Sequence, residues 1–221
     1  MIKLIQNRTD LIREAIETLP FFCVNDLSVT GLSKNHSKTL LYRFSKNNEI
    51  VSLKRSYYVS QKFLDNIKKR NILNDYLEFV GNIIYKPSYL SAEYVLEKNG
   101  ILSEGINSFV LITEKKTNKF FNELGIFKYH HIKPALFCGF KIITKNEFSI
   151  AEASVAKALF DFLYFRKNIL FEEKQIDELR LNLEILTKGD LNEFEKYIKI
   201  EKSFKMKFIF DYITALNKKY V

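Results

Sequence analysis

The stretch from Ser33 to Ser56 gathers the side-chain types that contact nucleic acid. Lys34, Lys38, Arg43, Lys46, Lys54 and Arg55 stand there against a single acid, Glu49. Cations concentrated on one short element are the footprint of a phosphate-binding surface. Interleaved with them are groups that read bases: Asn35 has the paired donor and acceptor that match adenine, Arg43 and Lys46 suit guanine or phosphate, and Thr39 offers a methyl to thymine. His36 and Tyr42 fall beside them, Ser33 stands at the start of the segment and Ser56 at its end. These twelve residues are the candidate DNA-binding set.

Other chemistries find less support. Glu114-Lys115-Lys116 is half of the E-x-K arrangement of metal-dependent nucleases, but no Asp lies between Asp75 and Asp161 to supply the second carboxylate that a Mg²⁺ site needs. His130 and His131 are adjacent in a strand-like run and point to opposite faces, so they do not converge on a metal. Lys157 and Asp161, four apart, read as an ion pair on a helix surface. There is no Gly-rich phosphate loop, nucleophile elbow or Cys/His cluster. No catalytic residue, metal ligand or cofactor is therefore assigned, and the chain is read as a non-enzyme.

The elements that must position the basic segment follow from periodicity and caps. A first helix is expected after Thr9 or Asp10, with Leu11, Ile12, Ala15, Ile16 and Leu19 on its buried face, ended by Pro20. A short second helix fits Asn25 to Thr30 with Gly31 as its stop, and Ser33 caps a third from Lys34 to about Lys46. On that third helix Ser37, Leu40, Leu41 and Phe44 share one side, which leaves Asn35, Thr39, Tyr42 and Lys46 on the other. Ile50, Val51 and Leu53, then Lys54-Arg55-Ser56, then Tyr57, Tyr58 and Val59 read as a β-hairpin with a basic tip. Two short helices across a Gly-containing turn, followed at once by such a hairpin, predict an N-terminal winged helix-turn-helix over residues 1–60.

Residues 61–72 are polar and basic and read as a helical connector. Beyond it, 73–221 predict an α+β domain: a helix through Tyr76 and Val80, a second capped by Ser91, strands at 109–113, 119–122, 126–132, 137–143 and 148–150, and a helical C-terminal part with helices at 152–168, 174–186, from Asp190, and through Phe208–Leu216. With 221 residues and 47% hydrophobic content the chain can fill one large core or two small ones. Of the net charge of +9, Lys34 to Arg55 carry +5, with six basic residues against one acid, whereas residues 151–221, with 13 basic and 12 acidic side chains, carry +1. No apolar run approaches the roughly 18 residues of a membrane span and no secretory h-region opens the chain, so the expected address is the cytoplasm, with Cys23 and Cys138 reduced core residues.

The segments "GLSKNHSKTLLYRF", "NNEIVSLKRSYYV", "PSYLSAEYVLEKNGIL" with "FVLIT", "GIFKYHHI" and "IAEASVAKALFDFLYF" resemble the AbiEi family of antitoxins, the transcription-factor halves of bacterial abortive-infection (type IV) toxin–antitoxin operons. The resemblance covers nearly the first 170 residues and fades after them. Two departures stand out: Ser56 takes the wing-tip place where the family usually has Gly, and Val155-Ala156 stand where it usually has Pro-Glu. The resemblance implies a winged helix that represses its own operon, with double-stranded DNA of its promoter, as inverted repeats, for a target. It also implies a second domain that neutralises a co-encoded nucleotidyltransferase-type toxin. The alternative is a winged-helix regulator of other genes whose second domain senses a ligand or a protein.

Overall fold

The computed structural model describes residues 2–27, 31–103 and 105–220, with side chains from residue 8 to residue 218. It is an α+β structure with a helical C-terminal part. The chain divides into two compact units, one of residues 1–80 and 120–125 and the other of 81–119 and 126–221.

In the first unit, helix α1 runs Ile2–Glu17 and so begins well before the expected cap at Thr9 or Asp10. No glycine or proline precedes Pro20 to stop the helix from propagating back. Its buried stripe is also narrower than expected. Ile12 and Ile16, one turn apart, are buried, whereas Leu11, 60% exposed, and Ala15, also exposed, lie about 100° around the helix, and Leu19, exposed too, lies beyond its last residue, Glu17. After β1 (Phe22–Cys23), Asp26 and Leu27 begin a 3₁₀ turn; the rest of the expected second helix, 28–30, lies outside the described residues.

Helix α2 spans Lys34–Lys46 and the strands β2 (Ile50–Lys54) and β3 (Tyr57–Ser60) follow as an antiparallel hairpin. With β1 they form a three-stranded sheet of order β1-β3-β2. One apolar cluster joins all of these: Ile12 and Ile16 of α1, Phe22 of β1, Leu40, Leu41 and Phe44 of α2, and Ile50 of β2. Burying each large side chain contributes about 1.5–3 kcal/mol, which fixes the outward face of α2 as much as its inward one. The expected connector is helix α3 (Gln61–Lys69), capped by Ser60, whose Oγ accepts from Phe63 N at 3.0 Å. It packs on α1 and β3 and belongs to the first unit, rather than spacing two domains.

Helix α4 is Leu73–Ile84. The larger sheet has six strands in the order β6-β7-β5-β4-β9-β8, from β4 (Ser88–Leu90), β5 (Phe109–Thr113), β6 (Asn118–Asn122), β7 (Gly125–His131), β8 (Phe140–Lys145) and β9 (Phe148–Ala153). The sheet is mixed: β4 pairs antiparallel with β5 but parallel with β9, and β5 runs parallel to β7. Strand β4 is three residues long, wholly buried, and absent from the strands expected from sequence. Strand β8 continues to Lys145, past its expected end at residue 143, and Asn146 takes the left-handed conformation at φ 51°.

Helices α5 (Ala92–Lys98) and α6 (Val155–Arg166) pack together in this unit, and every residue from Ala156 to Leu163 is buried. The expected helix at 174–186 breaks into α7 (Glu173–Asp177) and a 3₁₀ turn at Leu183–Ile185. Helix α8 (Lys188–Glu201) starts before Asp190: Thr187 is its cap, in a capping box with Asp190 as the N3 partner. Helix α9 (Phe204–Tyr220) ends the described chain. Among the described residues, no helix is long and apolar enough to cross a membrane.

Candidate nucleic-acid interface

Helix α2 begins with a satisfied cap: the backbone N–H of His36 donates to Ser33 Oγ at 3.3 Å, and that oxygen lies 3.0 Å from His36 Nδ1. The amides of Lys34 and Asn35, in the first turn, have no intrahelical acceptor and leave an electropositive end. Ser37, Leu40, Leu41 and Phe44 are buried, so Lys34, Asn35, His36, Lys38, Thr39, Tyr42, Arg43 and Lys46 are all exposed, Tyr42 by 63%. Lys46 Nζ sits 5.8 Å from the Tyr42 ring centre, a contact that lays the ammonium along the same face. Thr39 Oγ1 donates to Asn35 O at 3.1 Å, so its hydroxyl is occupied and its methyl is what it can offer a ligand.

The hairpin brings Arg55 and Ser56 to the turn between β2 and β3, both exposed. Lys54 Nζ lies 4.0 Å from the Tyr57 ring centre, and Phe21 stacks on that ring at 5.9 Å. Ser56 adopts φ 68°, the left-handed conformation that glycine enters without a Cβ clash. The turn thus holds a residue with a side chain in a conformation that favours glycine. Ser56→Gly is expected to keep stability within about 1 kcal/mol, because relief of the left-handed strain offsets the added freedom of the unfolded chain. Ser56→Val, β-branched, should lower it by about 1–2 kcal/mol. Chemical denaturation of the two variants checks both.

The single acid of the segment does not cancel its charge. Glu49 Oε2 accepts from Arg13 Nε at 2.7 Å and Glu49 Oε1 from Asn47 Nδ2 at 3.0 Å. Burial acts to raise the Glu49 carboxyl, but the hydrogen bonds from Arg13 and Asn47 outweigh it and hold the group below the usual carboxylate range. Arg13 neutralises Glu49 in place. Among the described residues, Lys34, Lys38, Arg43 and Arg55 have no acidic partner in contact.

The structure places Lys157 and Asp161 elsewhere than expected. Both are 0% exposed: this is a buried pair and not a helix-surface one, with Lys157 Nζ donating to Asp161 Oδ1 at 2.6 Å. Asp161 Oδ2 accepts from Ser91 Oγ at 2.7 Å and from Tyr89 Oη at 3.0 Å. Ser91 occupies the cap position of α5, yet its hydroxyl serves Asp161 and makes no cap bond. The ammonium is surrounded by the rings of Phe160 at 4.7 Å, Tyr197 at 5.1 Å and Tyr89 at 5.9 Å. Burial pushes the Asp161 carboxyl up, against the pull of Lys157 and the two hydroxyls. At Gly139, φ 75°, an added Cβ would stand 2.1 Å from Tyr197 Oη, so glycine is required where the chain passes this cluster. No signal in the sequence pointed to Tyr89, Ser91 or Gly139 as partners of the pair.

The remaining candidates stay apart. Glu114 and Lys115 are exposed, and their backbone carbonyls each lie 3.1 Å from His131 Nδ1, while Lys115 Nζ lies 5.3 Å from the Tyr85 ring centre. His130 packs its ring 5.1 Å from that of Phe165, and burial lowers its pKa. Among the described residues no group of three or more His, Cys, Asp or Glu is placed to hold a metal. Cys23 and Cys138 are free, and each is only partly buried, not in the core. No protein-family model matches the chain, and no curated protein is significantly similar to it.

Proposed function

We propose that this chain is a DNA-binding repressor of its own operon, with α2 as the recognition helix of an N-terminal winged helix-turn-helix and the β2–β3 hairpin as its wing. The observation that carries the reading is the outward face of α2: Asn35, Thr39, Tyr42, Arg43 and Lys46 exposed together, in a segment, 33–56, whose one acid, Glu49, is held by Arg13. The face is helical and basic, which suits a major groove. The second part of the proposal rests on the AbiEi resemblance alone: the chain acts in the cytoplasm as the antitoxin of a co-encoded toxin of the nucleotidyltransferase class, without catalysis or cofactor. Co-expression with the neighbouring gene should restore growth that the neighbour alone abolishes; continued arrest in the presence of folded protein removes the antitoxin reading.

Base reading and phosphate docking separate by mutation. Asn35→Ala and Arg43→Ala should each cut the preference for operator over random DNA by about 1–3 kcal/mol, the worth of a bidentate base contact. Lys46→Ala should weaken both DNAs alike. Equal losses on both DNAs for all three variants would reduce α2 to a phosphate clamp.

A further inference from the structure

The last two helices enclose a cavity for which the reading above has no use. Helices α8 and α9 are joined through Lys202, at φ 64°, and between them and the Leu183–Ile185 turn lies a space of ≈ 550 Å³. That volume falls within the roughly 300–1,000 Å³ of small-molecule sites. Leu186, Leu191 and Phe210 line it with apolar surface.

The charge of its wall gives the cavity a chemical preference. Lys188, the first residue of α8, and Lys218, one turn beyond Thr214 on α9, also line the cavity; both are exposed, and among the described residues neither has an acidic partner. The one acid in the wall, Glu195, is paired with Lys199 at 3.0 Å. Its charge is therefore partly offset, and the charge left over is positive.

We propose that this cavity binds a small carboxylic acid with an apolar body. The hydrocarbon lies against Leu186, Leu191 and Phe210, and the carboxylate is held by Lys188 and Lys218. The site shares no residue with α2 or the hairpin, so it stands whether or not the chain binds DNA.

Isothermal titration of the full-length protein with decanoate and with decan-1-ol tests it, the two differing in the head group alone. Decanoate is expected to bind at one saturable site, at least about tenfold more tightly than the alcohol. Lys188→Ala/Lys218→Ala, changing two exposed residues, should weaken decanoate by at least about tenfold and abolish its advantage over decanol. Absence of saturable decanoate binding, equal affinity for the two probes, or decanoate affinity that survives loss of both lysines would overturn the proposal.

Discussion

Asp161→Ala is expected to destabilise the protein by about 3–5 kcal/mol, a large share of a typical domain's stability. The substitution strands the Lys157 ammonium at 0% exposure and removes the acceptor of two buried hydroxyls, Ser91 and Tyr89. A surface pair of the same spacing would lose about 0.3–0.5 kcal/mol. The magnitude therefore separates the two placements. A cycle isolates the cause: Asp161→Asn leaves the lysine charged and unpaired, whereas Lys157→Met/Asp161→Asn removes both charges, keeps an acceptor for the hydroxyls and fits a side chain of similar length among Phe160, Tyr197 and Tyr89. The double variant should recover at least about 1 kcal/mol relative to the sum of the singles. Strictly additive losses, measured by denaturant unfolding, would mean that the two charges do not hold each other in the core.

Binding to DNA upstream of the protein's own gene should weaken steeply with salt. If all six cations at Lys34, Lys38, Arg43, Lys46, Lys54 and Arg55 meet phosphate, the slope of log affinity against log salt approaches about −5, roughly a thousandfold loss between 50 and 200 mM. Those devoted to bases rather than phosphates reduce the slope. Changing Lys54 and Arg55 to Ala should flatten it by about two, one per lost phosphate contact. A slope unaltered by that double change would take the hairpin off the DNA, and a flat response in the wild type would remove the phosphate-binding surface altogether.

What could be read from the sequence was local. The buried and exposed faces of α2 follow from a 3.6-residue period over Ser37, Leu40, Leu41 and Phe44, and strand β5 matches its expected range because Phe109-Val110-Leu111-Ile112-Thr113 is a β-rich run between polar segments. Where the sequence misled, distant partners decided. Lys157 and Asp161 have the spacing of a solvated pair, and only the arrival of Tyr89 and Ser91, 72 and 70 residues away from Asp161, makes burial tolerable. Those two come from the short strand β4 and the cap position beside it, a strand too brief to show any alternation of its own. Lys188 likewise precedes the expected helix start at Asp190 because the capping box closes on Thr187, about one helical turn earlier, with Asp190 as its N3 partner. The cavity between α8 and α9 depends on which faces two helices present to each other, information that no single helix carries.

The central claim is that the exposed face of α2 reads a particular DNA sequence. The most direct test is the affinity of the full-length protein for the duplex upstream of its own gene, compared with a duplex of the same length and composition in permuted order, at one physiological salt concentration. The account predicts at least a thousandfold preference for the native order, on the scale of roughly 10³–10⁷ that specific binders show over non-specific DNA. Equal affinity for the two duplexes would contradict it.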